Sequence, residues 1–341
     1  MKKNLLLLSA TLLTLFLLLE LIWRLLGYHG INLNYEPCQY SRQFGWELKK
    51  NYRQQWDSLE WSVLYETNSE GFRDTEHVIQ KNKNQTRVLI LGDSLTEGWG
   101  VSFKDMWQSI LQKNLGVEFE IMTMGTRGYD LIQYYKRLLL SGLSYKPNLV
   151  ILVLLPNDYV HLNIHDEPRR PAYKIENDSI VFDDNDDNSD KIIPPPVSRN
   201  SAVRTLKSIL YRSAFLAWLR TTINILTHQP GLEPSIVKTA PWFAYYKNYK
   251  KAAPIIFEEF SRLQEKKGFK MIVVYEGKNI PGDLKKMVTL STQHLILIDL
   301  NKSQRWRYDP HPNKAGHQAI ADQILKYLTN SNLITLSTAQ T

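Results

Sequence analysis

Three side chains in this 341-residue chain have the types and spacing for nucleophilic chemistry: Ser94, Asp309 and His311. A serine hydroxyl is a weak nucleophile until a base takes its proton, and that base needs an acid to fix its tautomer. Ser94 stands in Arg87 to Gly100, RVLILGDSLTEGWG, where the apolar run Val88 to Leu91 stops at Gly92 and Asp93. That is the pattern of a buried strand ending in a turn, which places Ser94 at the carboxyl end of a sheet. Open α/β sheets carry their reactive groups along that edge. Taken alone, this is first an ordinary strand–loop–helix connection in which Ser94 caps the helix that follows. Asp309 and His311 lie two apart in Tyr308 to His317, YDPHPNKAGH, a proline-punctuated loop too polar and too rigid for the core. They supply the acid and the base. Among the 8 histidines, His161 and His165 have a helical metal-ligand spacing. They lack the glutamate of helical zinc motifs, so no metal site is expected. His317 is expected to pack or cap in the last helix.

The elements that must hold these groups alternate. Strands are expected at Val88–Leu91, Val117–Met122, Leu149–Leu155, Met271–Tyr275 and Leu295–Ile298. Helices are expected from Met106 to Leu115, Leu131 to Ser141, Trp242 to Lys267 (kinked at Pro254) and Gly316 to Leu328. Leu149–Leu155 is a continuous apolar run, the mark of a strand covered on both faces. This alternation predicts an α/β fold with a doubly wound, parallel, five-stranded sheet.

Ahead of that domain, residues 1–27 read as a membrane anchor. Lys2 and Lys3 precede an apolar run from Leu5 to Leu19. Asn4 to Trp23, as a helix, spans roughly 30 Å, enough for a bilayer core. A cleaved signal peptide would need small residues after the run, and Glu20 to Gly30 offers mainly bulky ones. Glu20 and Arg24 lie one turn apart and can reach the interface together, with Trp23 as an anchor. The two lysines place the N-terminus in the cytoplasm and the domain on the extracytoplasmic side of the cytoplasmic (inner) membrane, as a single-pass protein. Residues 28–86, rich in Tyr, Trp, Asn and Gln, form a lead-in segment with short alternations such as Trp61, Val63 and Tyr65. Arg73, in Asn68 to Asp74, is expected to tie this segment to the domain. The α/β domain would occupy 87–330, with an insertion at 159–241 and a polar tail at 331–341.

The insertion contains Ile175 to Asp190, with seven carboxylates. A calcium loop starting at Asp184 would put Ser189 where glycine belongs and Pro195 where glutamate belongs, so a solvated surface excursion is expected instead. Pro194 to Pro196 closes it as a stiff spacer. Val203 to Leu226 is an amphipathic helical stretch with Arg204, Lys207, Arg212 and Arg220 breaking its apolar face. It can pack on the domain or lie on a bilayer with its arginines toward headgroups; packing is the default reading.

Composition excludes several classes. Hydrophobic content of 43% and charged content of 22% are those of a folded protein. Net charge is +8, but the basic residues are scattered, without the dense block interleaved with aromatics that nucleic-acid binding requires. Cys38 is the single cysteine, so neither an internal disulfide nor a cysteine zinc site can form.

Four blocks together resemble the SGNH (GDSL-type) hydrolase superfamily, over roughly Asn68 to Leu328 apart from the insertion. GDSLTEG resembles the nucleophile block, which implies that role for Ser94. MTMGTRGYDLIQ aligns Gly128 with the glycine whose backbone N–H faces the oxyanion, and LPND aligns Asn157 with the side-chain donor to it. The last block aligns Asp309 and His311 with acid and base. The anchor, the N-x-x-G-x-R lead-in and the GDS strand are together similar to membrane-anchored bacterial members. The sequence departs from the family at Thr123, where asparagine is usual, at Leu155, where glycine is usual, and in its D-P-H spacing. The first two are expected to reshape the oxyanion side of the pocket. The resemblance implies a flavodoxin-like sheet order and a serine esterase that forms an acyl-enzyme, with no cofactor. Its oxyanion hole would be the Ser94 and Gly128 backbone N–H groups with the Asn157 amide. The expected substrate is an acylated envelope glycan or lipid. An O-acyltransferase acting on an envelope glycan would use the same residues. A non-catalytic anchored binding protein would have no chemical need for all of them.

Overall fold

The structure, a computed structural model, describes residues 2–31, 37–156, 158, 171, 173–183, 210–227, 243–331 and 333. Asn157, His161, His165, the stretches 184–190 and 194–196, residues 203–209 and the tail from 334 lie outside the described residues.

Helix α1, Lys2–Leu25, has 24 residues and none is buried. By length and composition it can cross a membrane. The lead-in segment forms two antiparallel hairpins, β1 (Cys38–Ser41) with β2 (Gly45–Leu48), and β3 (Arg53–Asp57) with β4 (Ser62–Glu66). The Trp61–Val63–Tyr65 alternation is the buried face of β4, packed with Trp56. Arg73 is 1% exposed and donates to the carbonyls of Gly98 and Val101, with the Tyr65 ring 4.7 Å away. Its work is to bind the lead-in segment to the domain.

The domain then runs β5 (Thr86–Gly92), α2 (Ser94–Glu97), α3 (Trp107–Leu115), β6 (Phe119–Gly125), α4 (Leu131–Leu140) and β7 (Leu149–Leu154). After β7 come a hairpin of β8 (Tyr173–Glu176) and β9 (Ser179–Phe182), then α5 (Ala214–Thr227) and α6 (Phe243–Lys267), which is continuous through Pro254. The chain closes with β10 (Lys270–Glu276), α7 (Gly282–Val288), β11 (Leu295–Ile298) and α8 (Lys314–Asn330).

The central sheet has the order β11-β10-β7-β5-β6 and is parallel throughout. All five expected strands are in it. Period-two alternation divides its side chains between two layers. Leu89, Leu91, Val150 and Val273 pack under α4 and α6, while Val88, Ile90, Ile151 and Ile272 pack under α3 and α8. Every residue of β7 is buried. The strand order reverses direction between β5 and β7, the switch point where such sheets open a crevice at their carboxyl ends.

The described first part of the acidic insertion is a surface hairpin: Glu176, Asn177, Asp178 and Val181 are exposed, while Tyr173 (2% exposed) and Ile180 (9%) anchor it on the α4–α6 side of the core. Asn177 and Asp178 both have positive φ (48° and 56°), which is the two-residue turn that closes a tight hairpin.

Candidate active site

Strand β5 delivers Ser94 into the first turn of α2, and the turn is closed tightly. Asp93 caps α2, its Oδ1 accepting from the Leu95 N–H at 3.0 Å. The Ser94 carbonyl accepts from both Gly98 and Trp99 N–H at 3.0 Å. Gly92 and Gly125 sit side by side in the β5–β6 register. A Cβ on Gly92 would stand 2.1 Å from Thr96 Oγ1, and one on Gly125 would stand 2.5 Å from the Glu97 backbone nitrogen. Both are glycines because α2 lies directly on the strand ends.

Asp309 and His311, the expected acid and base, come from the loop before α8. Trp306 N–H donates to the His311 carbonyl at 3.1 Å, and Arg305 Nη1 donates to the Pro310 carbonyl at 2.8 Å, so the loop folds back on itself. Ser94 Oγ is 2.8 Å from His311 Nε2. His311 Nδ1 is 2.5 Å from Asp309 Oδ1, and the same oxygen accepts the His311 backbone N–H at 2.9 Å. Burial opposes ionisation of Asp309, but the hydrogen bonds from His311 and Trp99 outweigh it and hold the carboxyl below its usual range. A hydroxyl, an imidazole and a carboxylate in this line can pass the hydroxyl proton to Nε2 while the acid stabilises the imidazolium.

Gly128 lies in the loop between β6 and α4, with φ +72°, a conformation that a side-chain-bearing residue adopts only with strain. That loop, like Ser94, is at the carboxyl edge of the sheet. Asn157, expected beside it, is outside the described residues. His317 is fully buried with Nδ1 accepting from Trp107 N–H at 3.2 Å, and burial pushes it down to about 3. It is a neutral structural group, as expected.

Several residues at the site escaped the sequence reading. Trp99 donates its indole N–H to Asp309 Oδ2 at 2.7 Å and stacks on the His311 ring, with centroids 5.2 Å apart and planes at 26°. The Arg127 guanidinium lies 4.5 Å from the Trp99 ring centroid and 4.6 Å from that of Trp56. Arg127 pairs with Glu97, which is fully buried, and Tyr65 OH donates to the same carboxylate. Arg127 directly precedes Gly128. One polar–aromatic cage therefore fixes both the Gly128 loop and the acid–base loop. The visible signals were Glu97 and Trp99 inside the GDSLTEGWG block and the tryptophans of the lead-in segment.

Beneath Ser94, β5 and β7 each lead into a buried acid. Asp93 is 2% and Asp158 1% exposed. Burial raises Asp93 to about 6, against the opposing hydrogen bond from the Leu95 N–H. Asp158 is raised well above the usual carboxyl range by burial and by Asp93, although its Oδ2 accepts the Leu155 N–H at 2.8 Å.

A family model described as GDSL-like lipase/acylhydrolase matches residues 88–324, more than half of the chain. No curated protein sequence matches. Solved structures resemble the chain at low identity. The psychrotrophic esterase EstA from Pseudoalteromonas sp. is 13% identical, with 73% of this chain and 99% of that one covered and a TM-score of 0.38. An acetyl xylan esterase, AlAXEase, is 13% identical over 70% and 98%, with a TM-score of 0.34. A GDSL-like lipase from Bacteroides thetaiotaomicron is 12% identical over 74% and 92%, with a TM-score of 0.31.

Proposed function

The chain belongs to the GDSL-like lipase/acylhydrolase family, and from that premise we propose a membrane-anchored serine esterase acting on an ester of the cell envelope. The single observation that carries the reading is the hydrogen-bonded line from Ser94 Oγ through His311 to Asp309. His311 takes the Ser94 proton as Oγ attacks the ester carbonyl. The carbonyl oxygen becomes an oxyanion, held by the backbone N–H groups of Ser94 and Gly128 and by the Asn157 amide. Collapse of the tetrahedral intermediate expels the alcohol, which leaves with the proton from His311, and an acyl-Ser94 remains. Water, deprotonated by the same imidazole, then releases the acid. Each oxyanion donor contributes on the order of 10²–10³ in turnover.

The location follows from α1. A helix of 24 residues with no buried residue is supported as an uncleaved anchor by the bulky residues that follow its apolar run. Lys2 and Lys3 on the cytoplasmic side put the domain outside. Soluble cytoplasmic esters are then poor candidates, and acylated glycans or lipids of the envelope are the substrate class.

The test is turnover of 4-nitrophenyl acetate by the full-length protein and by Ser94→Ala. A loss on the order of 10⁴–10⁶-fold is expected. Equal turnover by the two proteins would overturn the assignment.

A further inference from the structure

The outer end of α1 is joined to α5 by polar contacts that a simple tether does not need. Glu20 accepts from Ser213 Oγ at 2.7 Å and from the backbone N–H groups of Ala214 and Phe215 at 3.1 and 3.2 Å, so it caps α5. Arg24 pairs with Glu20 at 2.7 Å and donates to the Arg212 carbonyl at 3.0 Å. Trp23 packs on Phe215 and Trp218, with centroids 5.4 and 4.6 Å away. Glu20 lies roughly 24 Å along the helix from Asn4, about one turn inside the ~30 Å of a hydrocarbon core. Helix α5 therefore begins at the outer boundary of whatever bilayer α1 crosses.

From that boundary α5 leads to the active site. Trp218 Nε1 donates to Tyr308 OH at 3.3 Å, and the Tyr28 ring lies 6.3 Å from the Tyr308 ring. Tyr308 immediately precedes Asp309. Its backbone N–H is held at 2.7 Å by Glu60, from the β3–β4 turn. Trp and Tyr are the side chains that favour the headgroup level, and here they connect the anchor to the acid–base loop. Along its length α5 leaves Ile223, Ile225 and Leu226 exposed (48%, 45% and 78%), with Arg212 and Arg220 also exposed. Aliphatic side chains with arginines beside them are the composition of a helix lying in an anionic membrane surface.

We propose that α5 is an interfacial helix seated in the outer face of the bilayer that α1 crosses. There it holds the Asp309–His311 loop over the membrane surface, and the ester attacked is carried by a lipid of that leaflet. The inference rests on the anchor reading of α1 and names the substrate class within it. The occupant of the apolar side chains is the bilayer, because Glu20 caps the start of the same helix at the outer end of α1 and the exposed aliphatic side chains continue from there beside Arg220.

Two measurements test this. Full-length protein carrying Cys38→Ser and one of Leu13→Cys, Leu226→Cys or Val117→Cys is labelled with an environment-sensitive fluorophore. It is reconstituted in phosphatidylcholine–phosphatidylglycerol vesicles containing a lipid spin-labelled near the headgroup end of its acyl chain or, for position 13 at mid-membrane, near the methyl end. Quenching of at least twofold is expected at positions 13 and 226 and none at 117, which is 91% exposed at the far edge of the sheet. Quenching at 13 without quenching at 226 overturns the interfacial placement and leaves the anchor standing. No quenching at 13 overturns both. Second, the pair Ile223→Asp/Leu226→Asp is expected to lower turnover of an acetylated lipid in those vesicles at least tenfold, with 4-nitrophenyl acetate turnover unchanged. Equal loss on both substrates, or loss on neither, overturns the lipid assignment.

Discussion

The indole N–H of Trp99 donates to Asp309 Oδ2 at 2.7 Å, leaving Oδ1 to His311, and the same ring covers one face of the His311 imidazole. Five residues after Ser94, one side chain thus sets both the direction of the Asp309 carboxylate and the plane of the His311 ring. Its own place is set by α2, whose carbonyl at Ser94 accepts the Trp99 backbone N–H. In the proposed mechanism Trp99 is a positioning residue. Trp99→Phe keeps the stacking and removes the donor, and is expected to lower kcat about 10–100-fold, the scale of a small misplacement. It also leaves Asp309 with one hydrogen bond fewer, so the carboxylate holds the imidazolium more strongly. The acid limb of the kcat/KM profile is expected to move to higher pH. A merely structural tryptophan would lower stability and rate without moving that limb.

Glu97 and Arg127 make the second prediction. Glu97 is fully buried and pairs with Arg127 through both carboxylate oxygens, with the Arg127 Nε 2.9 and 3.0 Å from them. Removing one partner of a buried pair leaves an uncompensated charge and costs roughly 3–5 kcal/mol. Glu97→Gln is expected to lose stability on that scale in urea unfolding. Its kcat should also fall, because Arg127 supports both the Trp99 ring and Gly128. A loss under about 0.5 kcal/mol, within the range of an ordinary surface substitution, with unchanged kcat would contradict the cage.

The pH dependence of stability carries the third. Asp93 is raised from 3.8 to about 6 by burial, so between those values the native state holds a proton that the unfolded chain has released. Its contribution to stability is full below about pH 4 and is lost as pH rises through 6, on the order of 3 kcal/mol in all. Asn cannot ionise and its Oδ1 can still accept from Leu95. Thermal unfolding of Asp93→Asn and the native protein, followed from pH 4 to 8, is expected to show a Tm difference that moves in favour of Asn up to about pH 6 and then levels. A difference independent of pH would mean that Asp93 is not titrating.

Gly125 offers the fourth. A Cβ there meets the Glu97 backbone nitrogen at 2.5 Å, and backbone yields less easily than a side-chain tip. Gly125→Ala is expected to destabilise by about 1–3 kcal/mol and to lower kcat by shifting α2, with a smaller change in KM. Native stability in this variant would show that α2 does not rest on β6.

The sheet was legible because its strands are continuous apolar runs; Leu149–Leu154 is buried along its whole length. Ser94, Asp309 and His311 were legible because each follows a strand or precedes a helix in a segment too polar for the core. The Trp99–Asp309 bond joins residues 210 apart in sequence, and no local pattern encodes such a contact. Glu97 read as an ordinary helix residue, since the glycines that press α2 onto the sheet become meaningful only when Gly92 and Gly125 are seen in register. The β8–β9 hairpin was hidden by its neighbours: the density of carboxylates around Asp178 obscured the alternation that buries Tyr173 and Ile180. Helix α7, with 7 residues, is too short to show a helical period.

The most direct test of the central claim is covalent. A serine-directed alkyl phosphonate is incubated with the full-length protein and with Ser94→Ala, and adducts are mapped by peptide mass spectrometry. One adduct is expected, on Ser94, formed by the native protein and absent from the variant. Labelling is expected to slow on the order of 10²-fold or more in His311→Ala, because the hydroxyl then has no base. Equal labelling of native and Ser94→Ala proteins, or an adduct on another serine, would contradict it.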